Sequence, residues 1–213
     1  SSPPRHPHPL ATVHPSTPAL LQQAIDGAIA AQQVWERWSF ADRAAVFLKA
    51  ADLLAGPWRH RINAATLLGQ GKTPHQAEID AACELADFWR FNVHYAEQLL
   101  HEQPISVPGV WNRLDWRPLE GFIYAITPFN FTAIGGNLPT APAILGNVVL
   151  WKPSATASLS NWLIYDLLRE AGLPAGVIQF IPGDSASTTK TLLDSRHLAG
   201  VHFTGSTPVF QSI

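Results

Sequence analysis

An amide, an ammonium and a glycine-serine pair each stand directly after a short apolar run. Asn130 lies in TPFNF (127 to 131), which follows Gly121-Phe122-Ile123-Tyr124-Ala125-Ile126, and Lys152 opens Lys152-Pro153-Ser154 after Val148 to Trp151. Gly205-Ser206 follows Phe203-Thr204, and Pro182-Gly183-Asp184 follows Val177 to Ile181. An amide there can donate a hydrogen bond to something bound, and a cation suits ribose hydroxyls or phosphate. Backbone N–H groups with a hydroxyl suit a pyrophosphate. Each also has a plain reading, as a surface lysine or a common turn. If the apolar runs are strands of one parallel sheet, their carboxyl ends form the edge where ligands collect.

Other chemistry candidates are weaker. GQGKT at 69 to 73 ends like a phosphate-binding P-loop, but Thr66 stands where that pattern needs its first glycine, and the segment follows a helix instead of a strand. A helix-to-helix turn is the better reading. GxGxxG is absent, so a standard dinucleotide loop is not indicated. His6, His8 and His14 sit in a proline-spaced tail with no rigid frame to hold a metal, and no metal is expected. Cys83 falls mid-helix on an apolar stripe beside Glu84, which reads as a buried core thiol and not as a nucleophile.

The elements that must position these residues follow from periodicity. Ser16-Thr17-Pro18 opens a helix to about Trp38. A second helix fits Ala41 to Ala55 before Gly56-Pro57, and a third fits Trp58 to Leu68 before Gly69-Gln70-Gly71. The longest reading runs from Thr73 to about Leu100, with Ile79, Ala82, Cys83, Ala86, Trp89, Val93 and Ala96 as one buried face. Pro104, Pro108, Gly109 and Pro118 then break the pattern, and Trp111 to Trp116 looks like edge strands or a hairpin leaving the domain. Strands at 121–126, 147–151, 177–181 and 200–203 alternate with helices at 132–145, 156–171 and 186–194. That order predicts a parallel α/β sheet. The expected organisation is a flexible tail over 1–15, a helical part over 16–103, the interrupted segment over 104–119 and an α/β part over 120–213.

Composition narrows the partners. The chain has 213 residues, 46% hydrophobic and 14% charged, which can bury a sizeable core. A net charge of -2 with no basic cluster argues against nucleic acid or an anionic membrane as partner, and no apolar run is long enough to span a bilayer. A small molecule or another protein is expected. One cysteine fits a reducing compartment. The absence of any Met suggests a chain trimmed or cut from something longer.

TPFNF (127 to 131), WKPS (151 to 154) and FTGS (203 to 206), in this order and spacing, resemble the aldehyde dehydrogenase superfamily. AEIDAACELADFWRFN (77 to 92), PFNFTAIGGNLPTAP (128 to 142) and FTGSTPVF (203 to 210) resemble its 1-pyrroline-5-carboxylate dehydrogenase branch. Phe129 and Phe210 favour that branch, since most other relatives have Trp and Gly there. The similarity runs from about Val13 to Phe210. It implies an incomplete Rossmann-type parallel sheet with an N-terminal helical region and part of an oligomerisation arm, around Ile105 to Trp116. The implied activity is oxidation of L-glutamate γ-semialdehyde to glutamate with NAD in proline catabolism. A homo-oligomer is implied, in bacterial cytoplasm or, in a eukaryote, the mitochondrial matrix.

By the same resemblance, Asn130 donates to the oxygen that becomes anionic when a catalytic thiolate attacks the aldehyde. Lys152 holds the adenosine ribose, with Ser154 beside it among the cofactor-binding positions. Gly205 and Ser206 hold the pyrophosphate, and Phe203 and Val209 wall the cleft. Ile126, Thr127, Pro128 and Phe129 line the nicotinamide side. Phe131 packs on the aliphatic part of the substrate, and Glu84 lies on the helix bordering its tunnel. Two departures stand out. Ala155 occupies a place where relatives often carry an acid for the ribose 2'-hydroxyl, which bears on NAD against NADP. The family's cysteine and general-base motifs have no counterpart here, and Cys83 matches neither. Two non-catalytic readings therefore stand beside the enzyme: an assembly partner pairing through exposed strand edges, and an independent nucleotide-binding module.

Overall fold

A computed structural model describes residues 9–213; His6, His8 and most of the expected tail lie outside them. Helices α1 (Pro18–Trp35), α2 (Phe40–Ala55) and α3 (Arg59–Gln70) come first. They are followed by α4 (Pro74–Ala77), a π-helix (Glu78–Glu84) and α5 (Leu85–His101). Strands β1 (Phe122–Ile126), β2 (Val148–Lys152), β3 (Ile178–Phe180) and β4 (Leu198–Phe203) alternate with α6 (Thr132–Ile144), α7 (Ser158–Ala171) and α8 (Ser185–Leu193), and α9 (Thr207–Ser212) closes the chain.

Local chemistry sets several boundaries. Thr17 accepts from the Leu20 N–H and Pro18 fills the first turn of α1. This helix stops at Trp35, short of the expected Trp38, because Ser39 caps α2 by accepting from Asp42 N and a capping residue must leave helical geometry. Gly71 ends α3 in the left-handed conformation, with φ 65°. Thr73 and Gln76 then close a capping box on α4, so Gly71 to Thr73 of GQGKT form the turn between helices.

The sheet order is β3-β2-β1-β4, all parallel. Alternate residues of β1 and β2 feed two cores. Ile123, Ala125, Val149 and Trp151 join the larger cluster with α2, α3, α5, α6 and α7. Phe122, Tyr124, Val148 and Leu150 join the smaller one under α1 and α8. Helices thus cover both faces, as a parallel sheet of nearly continuous apolar strands requires. From β1 the chain winds outward to β2 and β3, then returns through α8 to place β4 on the other side of β1. The order reverses between β1 and β4, and such a switch point opens a crevice at the strands' carboxyl ends.

The two glycines after Asn130 are explained by packing. A Cβ on Gly136 would come within 2.7 Å of Leu85 Cδ2, and one on Gly135 would overlap the Asn161 amide. Their absence lets α6 press against α5 and α7.

Two expectations are corrected here. The 104–119 segment forms no ladder among the described residues. It has a single antiparallel bridge between Val107 and Val110 around the Pro108-Gly109 turn, and its apolar side chains are exposed. Prolines remove ladder donors, and no strand lies alongside it. The buried stripe expected from Ile79 also fails at its start. Ile79 is 51% exposed and Cys83 is exposed. The π-helix widens the turn and carries Asp80, Ala81 and Ala82 inward. The regular stripe resumes in α5 with Leu85, Ala86, Trp89, Val93 and Ala96.

Candidate functional site

Strand register aligns the first elements of the site. Ile126 pairs with Lys152 on one side and with Phe203 on the other, so these three form a row across the carboxyl edge. Backbone bonds extend the row: Thr127 N donates to the Lys152 carbonyl and Thr204 N to the Ile126 carbonyl, both at 3.2 Å. Thr127, Pro128, Phe129 and Asn130 therefore leave β1 beside Thr204, Gly205 and Ser206 leaving β4, at the switch point.

Lys152 is no surface lysine. It is 5% exposed, and among the described residues it has no carboxylate within ion-pair distance. Burial pushes its ammonium below the ordinary lysine range, and Asp184 partly offsets this at a distance. Asp184 is held below the usual carboxylate range chiefly by the Ser187 N–H at 2.9 Å, the bond with which it caps α8. A desolvated cation with no close counter-charge, at the ligand edge of a sheet, fits an anionic or polyhydroxylated ligand.

The other expected cofactor positions differ in what they offer. Thr127 is buried, and its hydroxyl accepts from the Trp151 indole at 3.0 Å, so its side chain holds the core. Phe129 is 60% exposed. Ser154 is half-buried, with its carbonyl accepting from Ala157 N and Ser158 Oγ. Phe203 packs its ring against Gly205, where a Cβ would meet it, and against Phe210 at 6.0 Å. Ser206 and Val209 are exposed where α9 begins.

The loop carrying Asn130 is pinned from below by residues that sequence reasoning missed. Asn130 and Phe131 are exposed, and Phe131 precedes α6 without giving it a side-chain cap. Asp80, 3% exposed, supplies that cap from another element: its two oxygens accept from Thr132 N and Ala133 N, each at 3.0 Å. Lys72 pairs with Asp80 at 2.5 Å and sets its ammonium 4.5 Å from the centre of the Phe131 ring. The Thr132 hydroxyl is held by Thr66 at 2.8 Å and Gln70 at 2.6 Å. Glu84, one turn after Asp80, faces the same charges. Burial raises its pKa most, Asp80 adds to this, and Lys72 opposes it. The signal for Asp80 was a charged residue beside a stripe that otherwise ran smoothly; only the π-turn reveals which side it faces.

Cys83 stands apart from this arrangement, exposed, near Arg59 and Glu78. No group of three or more His, Cys, Asp and Glu residues among the described residues is arranged to hold a metal. No helix there is long and apolar enough to cross a membrane.

Comparison with known proteins agrees with this geometry. The aldehyde dehydrogenase family model matches residues 2–213. The mitochondrial delta-1-pyrroline-5-carboxylate dehydrogenase of Emericella nidulans is 57% identical over 206 residues, covering 96% of this chain and 36% of the relative. That of Mus musculus is 56% identical over 212 residues, covering 100% of this chain and 38% of the relative. The crystal structure of the Mycobacterium tuberculosis Delta-pyrroline-5-carboxylate dehydrogenase bound with NAD superimposes with a TM-score of 0.92 at 57% identity, covering 94% of this chain and 37% of that one. The chain thus spans under two fifths of the length of these relatives. With the strand-end motifs meeting at one switch point and the family model matching nearly every residue, the chain belongs to the aldehyde dehydrogenase family.

Proposed function

We propose that this chain is the amino-terminal part of an NAD-dependent dehydrogenase that oxidises L-glutamate γ-semialdehyde to glutamate. The observation that carries the reading is the row Lys152, Ile126 and Phe203 at the switch point, with the Asn130 loop beside it. Lys152 would hold the adenosine ribose, and the Gly205-Ser206 backbone the pyrophosphate. Ile126, Thr127, Pro128 and Phe129 would border the nicotinamide. Bound NAD supplies the hydride acceptor. Asn130 would donate to the aldehyde oxygen as a thiolate adds to the carbonyl carbon and that oxygen gains negative charge. Phe131 would pack on the substrate's methylenes, and Glu84 would face its tunnel. The thiolate belongs, on this reading, to sequence beyond Ile213, because Cys83 matches no catalytic position of the family and contacts Arg59 and Glu78. The names of the relatives support both substrate and cofactor.

The test is NADH formation, followed by absorbance, with glutamate semialdehyde as substrate. The complete enzyme should turn over and the 213-residue chain should not. Turnover by the short chain at a rate near that of the complete enzyme would overturn the assignment of roles.

Assembly is the second part of the proposal. Ile105 is 86% and Trp111 76% exposed, with Leu114 and Trp116 each at 47%. An apolar surface of this kind suits a second copy of the protein. Trp111→Glu should lower the mass of the complete enzyme in solution; an unchanged mass would exclude this segment as the interface. The compartment we propose is bacterial cytoplasm, or the mitochondrial matrix in a eukaryote, consistent with the mitochondrial relatives.

A further inference from the structure

The best-supported feature outside the expected site is the charged pair beneath the Asn130 loop. We infer that Asp80 and Lys72 are positioning residues, which fix the direction in which the loop presents Asn130 and Phe131 to the aldehyde. The inference rests on the functional reading above.

The start of α6 lacks a cap of its own. A helix leaves its first N–H groups unpaired, and Phe131 at the capping position offers no acceptor. The chain would be free to unwind there by a turn, and Asn130 would move with it. Asp80 satisfies two of those donors at once, with one oxygen on each. A bidentate carboxylate constrains the rotation of the first turn as well as its position. The charge is also well placed, since an anion at a helix N-terminus is favoured by the helix dipole.

Lys72 completes the device from the other side. Its ammonium neutralises Asp80 and sits over the Phe131 ring, so one cation holds the carboxylate and the aromatic side chain immediately after Asn130. Cation and ring attract through the ring quadrupole. Phe131, 41% exposed, is thereby given an orientation without being buried.

The π-helix is an independent observation in the same direction. Regular α-helical spacing would turn Ile79 inward, yet Ile79 is exposed and Asp80 is buried. A π-turn is rare and is found frequently at functional sites. Here its effect is to aim one carboxylate at Thr132 and Ala133.

The experiment compares complete enzymes carrying Asp80→Asn, Lys72→Met and Lys72→Arg with the parent, reading kcat, KM for the semialdehyde and Kd for NAD. Asparagine keeps the size of the side chain but replaces one acceptor by a donor. Asp80→Asn should lower kcat roughly 10- to 100-fold, with the NAD Kd within about twofold, because misdirecting an oxyanion donor costs part of what deleting it costs. Lys72→Met should lower kcat about 10-fold and raise KM through the loosened Phe131, and Lys72→Arg should restore most of both. Lys72→Met keeps the cap on α6, so it decides the matter if Asp80→Asn does not fold. A folded Asp80→Asn or Lys72→Met enzyme with kcat within twofold of the parent would overturn the inference alone. An equal loss in kcat and NAD affinity would also overturn it, since that marks general loosening. A parent enzyme that forms no NADH would overturn the functional reading and this inference with it.

Discussion

Replacing Lys152 by Met separates the charge from the packing, because Met retains most of the aliphatic stem while losing the ammonium. Lys152 is 5% exposed and lacks an ion-pair partner among the described residues. Its hydrogen bonds to a ligand would therefore face little competition from water. A charge-assisted hydrogen bond contributes roughly 1.5–3 kcal/mol, so Lys152→Met should raise the Kd for NAD about 10- to 100-fold. Stability should move the other way. Burial has lowered the pKa of this lysine, so the folded state carries a cation at a cost. That cost is full below the lowered pKa and disappears as pH rises past the ordinary lysine pKa of about 10.4. Met removes it, and the melting temperature should hold or rise. The pH profile adds a third reading. NAD affinity should fall as pH rises through the lowered Lys152 pKa, below the ordinary lysine range, and should be flat there in the Met variant. Calorimetric titration of the complete enzyme gives the affinities. An unchanged Kd would place the ribose elsewhere and refute the assigned role.

Four further outcomes are expected. Asn130→Ala in the complete enzyme should lower kcat by about 10²- to 10³-fold, or roughly 3–4 kcal/mol, with little change in NAD affinity, as steady-state kinetics would reveal. Cys83→Ser should leave turnover of the complete enzyme nearly unchanged, and a folded variant that forms no NADH would reopen its role. Gly121→Ala should destabilise by on the order of 3 kcal/mol, because φ is 108° and a Cβ would overlap the His197 carbonyl; an unshifted melting temperature would contradict this. Burial raises the Tyr124 phenol to about 12. A raised acid pKa stabilises the fold fully below the unfolded value near 10 and loses that contribution as pH rises toward 12. Ultraviolet difference titration of the parent against Tyr124→Phe should accordingly find Tyr124 ionising at about 12, and ionisation of this phenol near 10 would be wrong for this packing.

The strands and their places along the chain were readable because burial on both faces leaves near-continuous apolar runs, and punctuation such as Thr127-Pro128 or Pro182-Gly183 marks their ends. The strand-end residues were readable for the same reason: position after such a run is a one-dimensional property. Lys152 was half readable. Its place was clear, but its burial is a property of the folded chain alone. Asp80 and Lys72 were not readable, since the bonds from Asp80 to Thr132 and Ala133 cross 52 and 53 positions of sequence. Helical spacing also gave the wrong face for Ile79 and Cys83. Periodicity assumes a constant angle per residue, and one wide turn breaks that assumption for everything before it while sparing Leu85 onward.

That wide turn has a consequence for how the protein tolerates changes of length. A π-helix can be regarded as an α-helix holding one surplus residue, so deleting a single position between Glu78 and Glu84 would let the segment relax into tighter, better-bonded geometry. The shortened helix would be locally more comfortable. Everything on its amino-terminal side would keep nearly its present facing relative to α5, because a deletion after Asp80 leaves it four residues before Leu85, on the same face of a regular α-helix. Insertions and deletions are ordinarily absorbed by loops at little cost. Here a tolerant spot lies inside a helix, and a one-residue deletion between Asp80 and Leu85 should leave a folded protein whose strand-end loop keeps its anchor.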